Sequence, residues 1–363
     1  MPAAFFDSVP RGQQRDTHLQ ISESYAGRSI LIPVHVRRGQ QNGPTVLVTA
    51  ALHGDELNGT GAIRDLLSDS QWQLRAGTLV MVPVLNILGF ERHSRYLPDR
   101  RDLNRCFPGI ADGSMASRMA GRIFQKLVRP CDYVIDLHTA AVRRTNYPNL
   151  RADLQNPDCD ALARVFGAGI ILDGRGPKGS LRRSATDRGI PTVIVEGGEV
   201  WKMEPAVVGC MSRGILNVLR HLKMVDGQPD VPTRQTVINH TKWVRAERGG
   251  LIQLHVAPGD SVEQGQPIAT NCDLLNNEQN VLVSPWNGVV IGISTLPAVQ
   301  PGEPIVHVGR FDSQRKKRQF ERRVQKDEIQ RIAHDHLSTS VMVTIHDDTE
   351  TDVPAADGNG SER

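Results

Sequence analysis

Apolar residues fall in short, β-branched runs separated by stretches of helical period, a pattern that predicts an α/β domain with a sheet flanked by helices. Runs at 45–51, 78–84, 133–139, 168–172 and 191–195 read as buried strands. Between them, Leu57, Ile63, Leu66 and Leu67 recur at helical spacing. Ser114 is placed to cap a helix over 115–128, and 157–166 and 204–222 read as two more. The partial alternation of 29–36 includes Pro33, which predicts a strand near the sheet edge, since proline cannot donate to an inner ladder.

The pattern changes near residue 233. Short strands punctuated by Gly-Asp and Asn-Gly turns, without helical period, predict a small all-β module up to 310. Its turns resemble those of the biotinyl/lipoyl-carrier barrel, so a barrel-like unit is expected. A carrier needs a lysine at a hairpin tip, and none lies between Lys242 and Lys316, which favours a structural or gating role. The reading is therefore a catalytic α/β domain over 1–232, a β module over 233–310, and a charged helix and tail over 311–363. Arg315, Lys316, Lys317 and Arg318 fall on the helix as a solvated face, and the acidic stretch 347–363 is expected to be disordered.

Composition narrows the partners. Lys+Arg 43 against Asp+Glu 40 leaves a net charge of +3, too small to imply nucleic acid or a membrane surface. Cys106, Cys131, Cys159, Cys210 and Cys272 are scattered and odd in number, as expected for reduced thiols in a cytoplasmic protein. The N-terminus lacks a signal-peptide pattern, and no run approaches the ~20 apolar residues of a membrane span.

Candidate chemistry lies at strand ends, where α/β sheets carry their ligand sites. His53 and Glu56 follow the run 45–51, and His138 ends the run 133–139. Two histidines and a carboxylate make the three-ligand set of a catalytic zinc site, with one position left for water. Glu196 ends the run 191–195, where a carboxylate is costly unless partnered or used. The loop 91–109 has no period, concentrates arginine, asparagine and aspartate, and carries Leu103 and Phe107 to pack it down, so it reads as an ordered functional loop. The glycine-rich stretch 174–180 lacks a phosphate-binding spacing and reads as a lid or plain turn.

With His53 and Glu56, then Arg95-Tyr96 ahead of Asp102-Leu103-Asn104-Arg105, then Asp136-Leu137-His138-Thr139 and Val195-Glu196-Gly197-Gly198, the chain resembles the succinylglutamate desuccinylase/aspartoacylase family. These are relatives of the zinc carboxypeptidases, and the likeness spans about 29–310. The resemblance implies a zinc-carboxypeptidase-like mixed sheet and one zinc per chain held by His53, Glu56 and His138. It makes Glu196 the general base, Arg95 the oxyanion-side arginine, Asn104 and Arg105 the clamp on the substrate α-carboxylate, and Asp102 the partner that orients a ligand histidine. The activity implied is deacylation of N-acyl amino acids by zinc-activated water. Trimming of short peptides and a non-catalytic binding protein are the alternatives, and a homo-oligomer is compatible with either. The stretch Leu97 to Arg101 is longer and more basic than the family's spacer, which bears on which acyl group or peptide fits.

Overall fold

The computed structural model describes residues 5–232 and 235–339. The acidic stretch 347–363 lies outside the described residues. In chain order, β1 (Gln14–Glu23), β2 (Ser29–Arg38) and β3 (Gln41–Ala50) lead into α1 (Asn58–Ser68), β4 (Ala76–Val82) and the short α2 (Ile87–Phe90). After the long loop come α3 (Met115–Ile123), β5 (Tyr133–His138), β6 (Arg144–Ala152), α4 (Pro157–Phe166), β7 (Ile170–Asp173), α5 (Leu181–Thr186), β8 (Thr192–Gly198) and α6 (Pro205–His221).

The sheet runs β1-β2-β4-β3-β5-β8-β6. β4, β3, β5 and β8 are parallel, β1 and β2 are antiparallel to their neighbours, and β6 is antiparallel to β8 but parallel to β7. Both faces are covered, which is why the inner strands read as near-continuous apolar runs. Val46, Val48 and Ala50 of β3 face α1, α4 and α6, while Leu47 faces the opposite core with α3, α5 and β2. Ser114 caps α3 through its hydroxyl, which accepts from the Ser117 amide at 3.3 Å.

Two strands escaped the sequence pattern. β1 is mostly exposed, so its residues alternate too weakly to announce a strand. It covers β2, which is second from the edge, near it as its proline predicts. Pro33 is tolerated there because β4 pairs with β2 only from His35 onward. β6 is buried yet built from Asn146, Tyr147, Pro148, Asn149 and Leu150, which have neither period.

The β module contains β9 (Thr236–Ile238), β10 (Thr241–Arg245), β11 (Gly250–Leu254), β12 (Ser261–Val262), β13 (Pro267–Cys272), β14 (Glu278–Val283), β15 (Gly288–Ser294), β16 (Ala298–Val299) and β17 (Pro304–Arg310). Where a self-contained barrel-like unit was expected, the structure has two sheets, one of them shared with the α/β part. β15 pairs with β6 so that the main sheet continues β6-β15-β17-β10, and β9 pairs with β7. The second sheet, β14-β13-β11-β16, contributes Ile252, Leu254, Ile268 and Leu282 to an apolar cluster with Val290, Ile293, Val306 and Val308 of β15 and β17. α7 (Gln314–Lys326) and α8 (Glu328–Thr339) follow. The basic run falls on α7, where Lys317 pairs with Glu263 of the module at 2.7 Å. All five cysteines are free, and no helix among the described residues is long and apolar enough to cross a membrane.

Candidate functional site

The chain turns sharply where β3 ends. Ala51 takes a left-handed φ of 47°, and the amides of Leu85 and Asn86 bond the carbonyls of Ala50 and Ala51 at 2.9 Å each. Gly54 then lies flat on α2: a Cβ there would fall 2.1 Å from the Gly89 carbonyl carbon and the Phe90 nitrogen, so only glycine lets this loop close down. The result is a pair of buried side chains, His53 at 3% and Glu56 at 1% exposure.

β5 supplies the other half. Its period of two puts Asp136 and His138 on one face. Asp136 accepts a hydrogen bond from the Thr49 hydroxyl at 2.7 Å with one oxygen and meets His138 Nε2 at 2.8 Å with the other. Glu56 lies between the two histidines, 2.7 Å from His53 Nδ1 and 2.8 Å from His138 Nδ1, and it accepts from the Thr139 amide at 3.1 Å. His53 Nε2 faces Asp102 at 3.1 Å.

Burial by itself would lower both imidazole pKa values. Glu56 and Asp102 around His53, and Asp136 and Glu56 around His138, outweigh it and raise both. Burial likewise opposes ionisation of Glu56, and the two histidines override it and hold the carboxylate well below its usual range. One ligand atom from each of His53, Glu56 and His138 comes within 4.8 Å of the others. Two imidazole nitrogens with a carboxylate oxygen are a donor set that zinc takes. Each outer imidazole nitrogen is backed by a carboxylate, the arrangement that orients metal-binding histidines. The residues fit a divalent cation.

The loop expected to be ordered is ordered: Leu97, Leu103 and Phe107 are buried. Asp102 caps the turn Leu103–Arg105 by accepting from the Asn104 amide at 2.8 Å. Arg95 bridges Glu56 and Asp102, 3.1 Å from each. Asn104 turns its side-chain oxygen to the Leu181 amide at 2.9 Å, which ties the loop to the start of α5. Gly179, at φ 80°, is so close to Arg105 that a Cβ would lie 2.3 Å from its carbonyl oxygen. The stretch expected as a lid or turn is therefore stapled to the 102–107 loop. Arg105 is exposed, with one guanidinium nitrogen 2.8 Å from the Asn104 carbonyl.

Glu196 stands opposite His138 in the β5/β8 register. Its carboxylate accepts from Asn146 Nδ2 at 3.2 Å and lies 3.5 Å from Arg151. A cavity of about 240 Å³ joins these groups: His53, Glu56, His138, Arg95, Asn104, Arg105 and Glu196 all line it. Asp102 is outside the lining and stands behind His53. A larger cleft, about 820 Å³, passes between β1 and α3 but has no histidine and only Glu23 as a carboxylate.

Sequence reasoning missed six side chains of the lining: Arg144, Asn146 and Arg151 from β6, Arg182 from α5, and Trp243 and His307 from β10 and β17. Trp243 stacks on His307, ring centroids 4.7 Å apart, and the Arg144 guanidinium covers the indole at 4.9 Å. Burial, then the nearby Arg151 and Arg144, pushes His307 down to about 3, so it is a neutral imidazole. The only signal for β6 was its asparagines among apolar residues, and nothing local links residue 243 or 307 to site residues that all lie more than 40 positions away in the chain.

The model of the succinylglutamate desuccinylase/aspartoacylase catalytic domain matches residues 42–222. The chain is 31% identical to the N-alpha-acetyl-L-2,4-diaminobutyric acid deacetylase of Halomonas elongata over 267 residues, 70% of this chain and 77% of that protein. Among solved structures, a succinylglutamate desuccinylase/aspartoacylase from Rhodobacter sphaeroides superposes with a TM-score of 0.74 at 26% identity, over 86% of this chain and 99% of that one. The ectoine utilization protein of Ruegeria pomeroyi, with product bound, gives 0.73 at 24% identity over 84% and 98%, a likeness of fold.

Proposed function

As the chain belongs to the succinylglutamate desuccinylase/aspartoacylase family, we propose that it is a zinc-dependent amide hydrolase that deacylates small N-acyl amino acids. The observation that carries this reading is the buried His53, Glu56 and His138 set with Glu196 in register beside it. Those three residues would hold a zinc ion, which when bound would supply Lewis acidity, lowering the pKa of water to ~7 and polarising an amide carbonyl. Glu196 takes the proton of the attacking water and returns it to the departing amine nitrogen. Asn146 and Arg151 hold that carboxylate in place. Arg95 puts positive charge on the carbonyl-oxygen side, and Asn104 with Arg105 grips the α-carboxylate. Asp102 and Asp136 orient the two histidines.

The size of the cavity favours N-acyl amino acids over peptide trimming. At about 240 Å³, with Trp243 and His307 in its lining, it is smaller than a typical ligand pocket and does not suit a peptide chain. The buried charged set favours an enzyme over a binding protein, because a non-catalytic relative would gain nothing from so costly an arrangement. The test is elemental analysis together with amine release from a panel of N-acyl amino acids. Glu196→Gln should lower kcat by ~100-fold or more with zinc retained, since the isostere cannot accept a proton. Full turnover in that variant would remove Glu196 from the mechanism.

A further inference from the structure

The larger cleft, between β1 and α3, is built apart from the His53 cavity: no residue lines both. At about 820 Å³ it is within the range of small-molecule sites. Its long wall is one face of α3 and of the turn that continues it, where Met115, Arg118, Arg122 and Lys126 follow at spacings of three and four. Exposed arginines elsewhere find carboxylates, as Arg164 does at Asp160 and Arg175 at Asp187. Arg118, Arg122 and Lys126 have no ion-pair partner among the described residues. Glu23, the one carboxylate in the lining, meets Gln20 at 3.5 Å instead.

Three cations on successive turns repel one another and weaken the helix that carries them, unless an anion lies across them. The helix is also irregular at this wall. Past Ile123 it continues as a π turn over Phe124–Val128, closed by the Arg129 amide on the Phe124 carbonyl at 2.8 Å. Such turns are rare and recur at functional sites, and this one carries Gln125 and Lys126 of the lining. Toward the start of α3 the wall becomes apolar and flat. Ile110, 61% exposed, and Met115 form it together with Gly109. Gly109 lies so close on α3 that a Cβ would fall 2.1 Å from the Gly121 nitrogen, so bare backbone makes up that part of the surface.

The cationic row spans about 12 Å of helix, more than a single phosphate covers. Arginine forks take phosphate oxygens in pairs, and lysine adds a point charge. We propose that this cleft binds a nucleoside di- or triphosphate, its phosphates on Arg118, Arg122 and Lys126 and its ring portion on Ile110 and Met115.

The experiment is calorimetric titration of the full chain with ATP, inorganic triphosphate and adenosine, so that binding is read without turnover. Wild type should bind ATP with a Kd well below about 1 mM, triphosphate more weakly and adenosine least. Arg122→Gln should weaken ATP binding by about 10-fold or more, as expected for the loss of a charge-assisted hydrogen bond, and adding Arg118→Gln should weaken it further. Arg122→Lys should keep part of the affinity. These side chains are exposed, so the variants should keep the wild-type urea midpoint, which checks that lost binding is not lost fold. Arg105→Gln, in the other cavity, should bind ATP as wild type does. No saturable ATP binding, or binding unchanged in the double variant and lost in Arg105→Gln, would overturn the proposal. Triphosphate bound as tightly as ATP would overturn the part given to the ring. An RNA oligonucleotide or phosphatidylglycerol vesicles bound through Arg118 and Arg122, with ATP unable to compete, would make the face a macromolecular surface and overturn the nucleotide site.

Discussion

Asp136 shows what a single side chain contributes beyond its motif. It is fully buried and spends one oxygen on Thr49 and the other on His138, so it fixes the orientation of a candidate metal-binding imidazole from behind. Asp136→Asn keeps the shape and removes the charge that faces His138 Nε2. Metal affinity should fall by ~10–100-fold, measured by competition with a chelator, while His138 stays in place. Unchanged affinity would mean that something else orients His138. The same logic separates what was readable at this scale from what was not. His53, Glu56, His138 and Glu196 stand at the ends of apolar runs, where a polar residue is conspicuous. Arg182 stands in a short helix next to Arg183, and only its burial distinguishes the two.

Elements meet at Asn58, the first residue of α1. Its side-chain oxygen accepts from the Glu204 amide at 2.7 Å, and its nitrogen donates to the Gly197 carbonyl at 3.2 Å and to the Glu204 carboxylate at 2.8 Å. One buried amide thus joins the start of α1, the end of β8 and the start of α6. Those are the ends that set Glu56 and Glu196 on the same side of the sheet. Asn58→Ala would leave the Glu204 N–H and the Gly197 carbonyl buried and unpaired, at ~1–3 kcal/mol apiece. We expect a loss of ~2–4 kcal/mol in urea unfolding with the slope unchanged. A loss below ~0.5 kcal/mol would show that the junction does not depend on this residue.

At the scale of the molecule, the β module is joined to the catalytic sheet through β15 and β6, and it brings Trp243 and His307 to the cavity. This union makes an acid-sensitive contact. The folded pKa of His307, about 3, lies below its ordinary 6.5. Between those values the unfolded chain binds a proton that the folded chain does not, so stability falls as pH drops, by ~1.4 kcal/mol per unit well inside the window. From pH 7 to 5.5 wild type should lose ~1 kcal/mol more than His307→Gln, in which that titration is absent. Equal losses in urea titrations at the two pH values would place His307 in a more polar setting than its burial implies.

The sequence by itself determined the buried inner strands, most of the helices, the end of α/β pattern near residue 233, and the polar strand-end residues His53, Glu56, His138 and Glu196 as candidates. Each of those is a local signal: an apolar run, a helical period, a polar residue at a strand end. Tertiary structure alone decided that β6 is a strand at all, since its asparagines and proline carry no period, and only pairing with β8 and β15 makes it one. It also decided that β2 is covered by β1, that the module shares the main sheet, and that Arg144, Arg151, Arg182, Trp243 and His307 face one cavity. These are contacts between residues far apart in the chain, and whether a buried arginine has a partner depends on what else the fold brings beside it.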